Sequence, residues 1–167
     1  MINIYTFLSL FLLLSCNSDD SVTQEIIPSE QAEEQVVLDI TEQARITAVD
    51  CVGGPNNYTL SVTIESPDTG CDQYADWWEV FYPDSTLIYR RILGHSHVNE
   101  QPFTRSGSSM DVGPDEFIYV RAHMNNTGYG SQVFSGNVRE GLVLDSLATD
   151  YAIGLATQQP LPDDCAF

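Results

Sequence analysis

The sequence predicts an all-β domain, an antiparallel two-sheet sandwich of about seven strands running from Arg45 to Gly141. Three observations carry that expectation. From Arg45 onward, short runs rich in β-branched and aromatic residues alternate with Gly, Pro, Asn and Asp turns. The run YTLSVTIES sets Leu60, Val62 and Ile64 against Thr59, Ser61, Thr63 and Glu65, the period of a strand with one face in a core and one in water. No internal repeat of solenoid length occurs, so the strands must bury one another within a single domain.

Each element follows in order. ARITAVDC is the first strand and GGPNN its turn; YTLSVTIES returns. SPDTGCD is a loop, YADWWEVFY a strand, PDS a turn and TLIYRRIL the hairpin partner. Pro102 forces a loop because it cannot donate within a ladder, and PFTRSGSSMDV then holds one more strand. EFIYVRAHM and GYGSQVFSGNVRE complete the set. Residues 142–160 read as either a strand pair or a short helix, and 142–167 as a C-terminal extension packed on the domain.

The first 15 residues carry no charged side chain and end in Leu13-Leu14-Ser15-Cys16, an apolar export signal too short for a spanning helix. LLSC resembles the lipobox of bacterial lipoproteins, which implies lipidation at Cys16; the n-region departs from that pattern in having no Lys or Arg. The following Asn17-Ser18-Asp19-Asp20 resembles the surface-export signal of Bacteroidetes lipoproteins. That resemblance implies an outer-membrane anchor facing the cell surface, with the periplasmic face as the alternative. Residues 16–44 form the tether: from 17 to 44 there are eight acidic side chains and no basic one, a composition that repels itself and cannot fold alone.

Acidic residues outnumber basic ones 24 to 6, and a formal charge of −18 excludes nucleic acid as a partner. With Cys16 acylated, Cys51, Cys71 and Cys165 remain in an oxidising compartment. Cys51 and Cys71 stand at opposite ends of a strand roughly 30 Å long, too far for a bridge. Cys71–Cys165 is therefore expected, with Cys51–Cys165 as the competitor and the leftover cysteine a buried, inert thiol.

The stretch from Cys71 to Met124 holds both tryptophans, all three histidines and four of the six arginines of a chain without lysine. Period two puts Ile118, Val120, Ala122 and Met124 on the core face of EFIYVRAHM and Phe117, Tyr119, Arg121 and His123 on the other. In YADWWEVFY the charge of Glu79 sends Trp77 and Phe81 outward with it, and Trp78 and Val80 inward. With these strands adjacent, Trp77, Glu79, Tyr119, Arg121 and His123 share an outer face suited to a glycan or protein ligand, flanked by Arg91 and Arg105. The plainer reading of the same residues is a cross-strand Glu79–Arg121 ion pair shielded by aromatics.

His95-Ser96-His97 puts two imidazoles on one side of an extended chain, about 7 Å apart. With His123 as the third ligand and Glu100, Glu79 or Met124 as the fourth, they would suit zinc or copper. Hydrogen-bonded structural histidines are the commoner outcome, so no cofactor is expected beyond that possibility. No Gly-x-Ser-x-Gly elbow or phosphate loop is present, and Asp68, Asp72 and Asp76 lack the alternation of a calcium loop and read as solvated acids, so the expectation is a binding module, with a copper or zinc protein or metalloenzyme on His95, His97 and His123 as the alternative.

The pair YVRAHMNNTGYGSQVFSGNV resembles the closing hairpin of a fibronectin type III domain, a Tyr/Val/Arg strand followed by a glycine-rich turn and a Ser-containing last strand. It implies an immunoglobulin/fibronectin type III-like sandwich and no activity. YADWWEV and RRILGHSHVNEQPFTRSG resemble stretches of small exported bacterial proteins, a likeness that implies no function.

Overall fold

The computed structural model describes residues 42–166. The predicted signal, Cys16 and the tether up to residue 41 lie outside the described residues. Among the described residues there are nine strands: β1 (Arg45–Gly54), β2 (Asn57–Glu65), β3 (Ala75–Phe81), β4 (Leu87–Ile92), β5 (Phe103–Ser106), β6 (Ile118–Met124), β7 (Gly128–Tyr129), β8 (Gln132–Asn137) and β9 (Gly141–Ser146). One sheet has the order β1-β2-β5, the other β4-β3-β6-β8-β9 with β7 paired to β6, and every pairing between these strands is antiparallel. The expected sandwich is present. Its strands outnumber the expected seven because the Gly128–Asn137 run divides into β7 and β8 and because β9 follows.

Leu60, Val62 and Ile64 of β2 are fully buried and meet Trp78, Val80, Val120, Ala122 and Met124 from the second sheet in one core. Burying side chains of this size contributes ~1.5–3 kcal/mol each, which offsets the ordering entropy of the strands. The β1–β2 turn requires Gly53: its φ is 115°, and a Cβ there would stand 2.2 Å from the Asn57 carbonyl oxygen. The PDS turn closes as read, with Tyr82 N–H donating to Thr86 O at 2.9 Å and Thr86 N–H to the Asp84 side chain at 3.0 Å.

The loop between β2 and β3 corrects the reading of its acids as solvated. Asp68 is buried and accepts from Ser66 Oγ at 2.7 Å, Ala75 N–H at 3.0 Å and His97 N–H at 2.7 Å, tying the β4–β5 loop to the start of β3. Asp76 is buried too, and only Asp72 faces water. A buried carboxylate needs such donors, and here the backbone supplies them.

Residues 142–160 resolve into the edge strand β9 and, after a turn at Tyr151, a 3₁₀-helix over Ile153–Thr157. From there the chain crosses the outer face of the second sheet to the expected Cys71–Cys165 disulfide, whose Cα atoms are 5.6 Å apart, and Ala166 N–H donates to Gly94 O. This C-terminal strap explains why all seven residues of β3 are buried, both faces included. Cys51, expected as a buried thiol, is free and exposed on β1, the outer strand of its sheet.

Candidate functional site

The register between β3 and β6 pairs Trp77 with His123, Glu79 with Arg121 and Phe81 with Tyr119; β4 sets Arg90 opposite Glu79 on the other side. The residues expected on one face do share it. The face is not open, however. Trp77, Glu79, Arg121 and His123 are all at least nine-tenths buried, and only Tyr119 among the five retains partial exposure.

The cover is electrostatic in origin. Arg121 Nε donates to Glu79 at 2.8 Å and Arg90 Nε at 2.9 Å, with Arg90 Nη2 closing a second bond to the same carboxylate. Two guanidiniums and one carboxylate leave a net positive charge in a dry place, and the strap brings backbone carbonyls to it. Arg90 donates to Leu155 O at 2.6 Å, Gln158 O at 2.6 Å and Pro160 O at 2.9 Å, so all five of its N–H groups are spent. Arg121 donates to Tyr151 O at 2.6 Å and Ala152 O at 3.1 Å and lies 3.4 Å from the Tyr129 ring centre. Burial beside the Glu79 carboxylate pushes the Tyr129 phenol up from its ordinary value.

This geometry corrects the expectation of an exposed ligand face. Trp77 offers no ring to a sugar: His123 stacks on it at 3.6 Å and the Arg90 guanidinium lies 4.5 Å from its centre, which together take both faces of the indole. Arg91 is exposed and bonds only the Ile92 carbonyl, and Arg105 stands in the other sheet, paired with Glu100 at 2.7 Å. Neither joins the face. The member missed by sequence reasoning is Arg90: counting out from the PDS turn puts Tyr89 opposite Glu79, and a one-residue bulge in β4, between the Phe81–Leu87 and Val80–Tyr89 pairs, brings Arg90 there instead.

The three histidines do not converge either. The rings of His95 and His97 are 4.4 Å apart and tilted by 36°, and His97 stacks on Phe103 at 3.7 Å. That stack holds the His97 ring in the core margin, away from the water that carries a metal ion. His123, on β6, sits against Asp76 and Trp77 of β3, and among the described residues no three His, Cys, Asp or Glu side chains are grouped to hold a metal. His97 instead sits in the core margin with both ring nitrogens unpaired.

Burial holds the His97 pKa down at about 4, helped by the Arg105 and His95 charges and opposed by Asp68 and Glu100. The folded value lies below the unfolded value of about 6.5, so the fold holds the neutral ring. As pH falls from about 6.5 toward 4 the unfolded chain takes up the proton and the fold does not, which removes at most about 1.4 kcal/mol per pH unit. His97→Phe keeps the stack on Phe103 and is expected to flatten this limb of a urea-midpoint profile between pH 7 and 4.5. An unchanged slope would assign the acid sensitivity elsewhere.

What remains accessible is a shallow cleft of about 470 Å³ beside the disulfide, between the start of β3, the end of β6 and the last turn of the strap. Tyr74, Asp76, His123, Asp163 and Asp164 line it. His123 Nδ1 and Asp76 Oδ1 are 2.7 Å apart; with Nδ1–H donated to the carboxylate, Nε2 is the ring nitrogen left to accept. Burial pushes the Asp76 carboxyl up from its ordinary value, against the lowering effect of His123. An Asp-oriented imidazole at a cleft mouth is the candidate functional group of this protein.

No protein-family model matches the chain, and no solved structure matches it. Over 124 residues, 74% of this chain, it is 32% identical to a protein of Halomicrobium mukohataei named "Putative lipoprotein". The match covers 55% of that protein's length, so the chain spans little more than half of its relative. No helix among the described residues is long and apolar enough to cross a membrane.

Proposed function

We propose that the chain is an exported, lipid-anchored envelope protein that displays its β-sandwich as a non-catalytic binding module, held at the outer membrane and facing the cell surface. The observation that carries the binding role is the open cleft with the oriented His123–Asp76 pair, set on an otherwise strapped and rigid sheet face. Anchoring is supported by Leu13-Leu14-Ser15-Cys16 and by the relative's name. That relative is archaeal, so it supports a lipid anchor in general, and the outer-membrane placement rests on Asn17 to Asp20 alone. The order β1-β2-β5 against β4-β3-β6-β8-β9 supports reading the sandwich as immunoglobulin- or fibronectin type III-like, with β9 added at the edge, a fold that serves recognition on many surfaces.

The test is metabolic labelling with radioactive palmitate of cells expressing the full chain or Cys16→Ser, followed by fractionation and protease treatment of intact cells. The parent is expected to carry label, to pellet with membranes and to be cut from outside; Cys16→Ser is expected to lose the label and leave the membrane fraction. A parent without label, or a variant that still pellets, would remove the anchor. Protection from protease until the cells are opened would move the module to the inner side.

A further inference from the structure

The charged groups left free in the cleft are anionic acceptors. His123 has spent its Nδ1–H on Asp76 and offers Nε2 as an acceptor. Asp163 and Asp164 bring two exposed carboxylates from the strap. Asn125, at the cleft wall, accepts from Tyr74 N–H at 2.9 Å and donates one N–H to Cys71 O at 2.8 Å, which fixes the amide and leaves its second N–H free. A cationic ligand that supplies donors matches the two rim carboxylates.

Size and charge narrow the choice. A bare metal ion needs its ligands within about 2 Å of one point. No three candidate side chains among the described residues stand that close, so the acceptors are spread too widely for an ion. A sugar needs a free aromatic face, and the indole of Trp77 is already covered on both sides. An ammonium or guanidinium on a side chain is broad, positively charged and made only of donors, and a chain of net charge −18 draws such a group in from a distance.

We infer that the cleft beside the Cys71–Cys165 bridge receives an arginine or lysine side chain of a protein partner, with Asp163 and Asp164 pairing the charge and His123 Nε2 accepting one of its N–H groups. This rests on the reading of the sandwich as a binding module and names the chemistry of its partner. His123 is more than nine-tenths buried and held from behind by Asp76, so its acceptor is fixed before the ligand arrives. The acids at the rim are exposed and adjust to the incoming group.

The experiment is isothermal titration of the detergent-solubilised full chain with the acetylated, amidated peptide Gly-Arg-Gly, beside the same peptide with citrulline in place of arginine. Asp163→Asn/Asp164→Asn is compared with Asp50→Asn/Asp111→Asn, which removes the same charge from exposed positions elsewhere. The arginine peptide is expected to bind and the citrulline peptide not to. The strap pair is expected to weaken binding by about tenfold and the control pair by less than about twofold, as for local rather than diffuse electrostatics. His123→Phe, which keeps the stack on Trp77, is expected to weaken it as well. Equal losses in the two acid pairs, an undiminished affinity in the strap pair, or no arginine binding by the parent would overturn the basic ligand. None of those results bears on palmitate labelling or surface exposure, so the module would stand without this partner, and a failed labelling experiment would leave the cleft result intact.

Discussion

Replacing Glu79 by Gln is expected to cost about 3–5 kcal/mol of stability, a large share of the roughly 5–15 kcal/mol that a domain of this kind has. Glu79 is fully buried between Arg90 and Arg121, and its carboxylate is the only anion in the cluster. The amide keeps the shape but removes the charge and presents an N–H toward a guanidinium, so two buried cations remain with only carbonyl partners. The exposed pair of Arg139 and Asp115 makes the contrast: its partners are 59% and 69% exposed, and Asp115→Asn is expected to leave the urea midpoint almost unchanged. Urea unfolding of both variants checks the difference. A Glu79→Gln protein within about 1 kcal/mol of the parent would mean that the strap carbonyls and aromatic faces alone neutralise the arginines.

The alternation in β2, β3 and β6 made much of this legible from sequence. Leu60, Val62, Ile64, Ile118, Val120, Ala122 and Met124 all went to the core as read, and Glu79 and Arg121 did meet across neighbouring strands. The exposure of that face was not legible, because period two says which side a residue takes and nothing about what lies above it. Here the covering groups are backbone carbonyls of Tyr151, Ala152, Leu155, Gln158 and Pro160, and a carbonyl has no letter in a sequence. The one visible sign was Cys165, which had to return to Cys71 across the sheet. The histidines misled for a related reason. His95-Ser96-His97 was treated as an extended strand, but it lies in the β4–β5 loop, where Asp68 holds the His97 backbone and Phe103 takes its ring.

Cys165→Ser is expected to be the second most damaging change, and it should separate the strap from the sandwich. The bridge closes a loop between residues 94 apart, for which chain entropy gives about 4–5 kcal/mol and experience with native disulfides about 2–5. The loss is expected to be unequal along the chain. The core of β2 and β6 does not depend on the strap, whereas the strap itself buries only Leu155 among its large side chains and is otherwise held by its bonds to Arg90 and Arg121 and by the bridge. Hydrogen exchange should therefore rise in residues 151–166 first, with β2 and β6 still protected. Opening the strap would also wet the Glu79 cluster, since three of the five N–H groups of Arg90 would have to find water. Strap amides that stay as slow as in the parent would show that the arginine–carbonyl bonds hold the segment without the covalent link, and that the disulfide acts mainly on the unfolded chain.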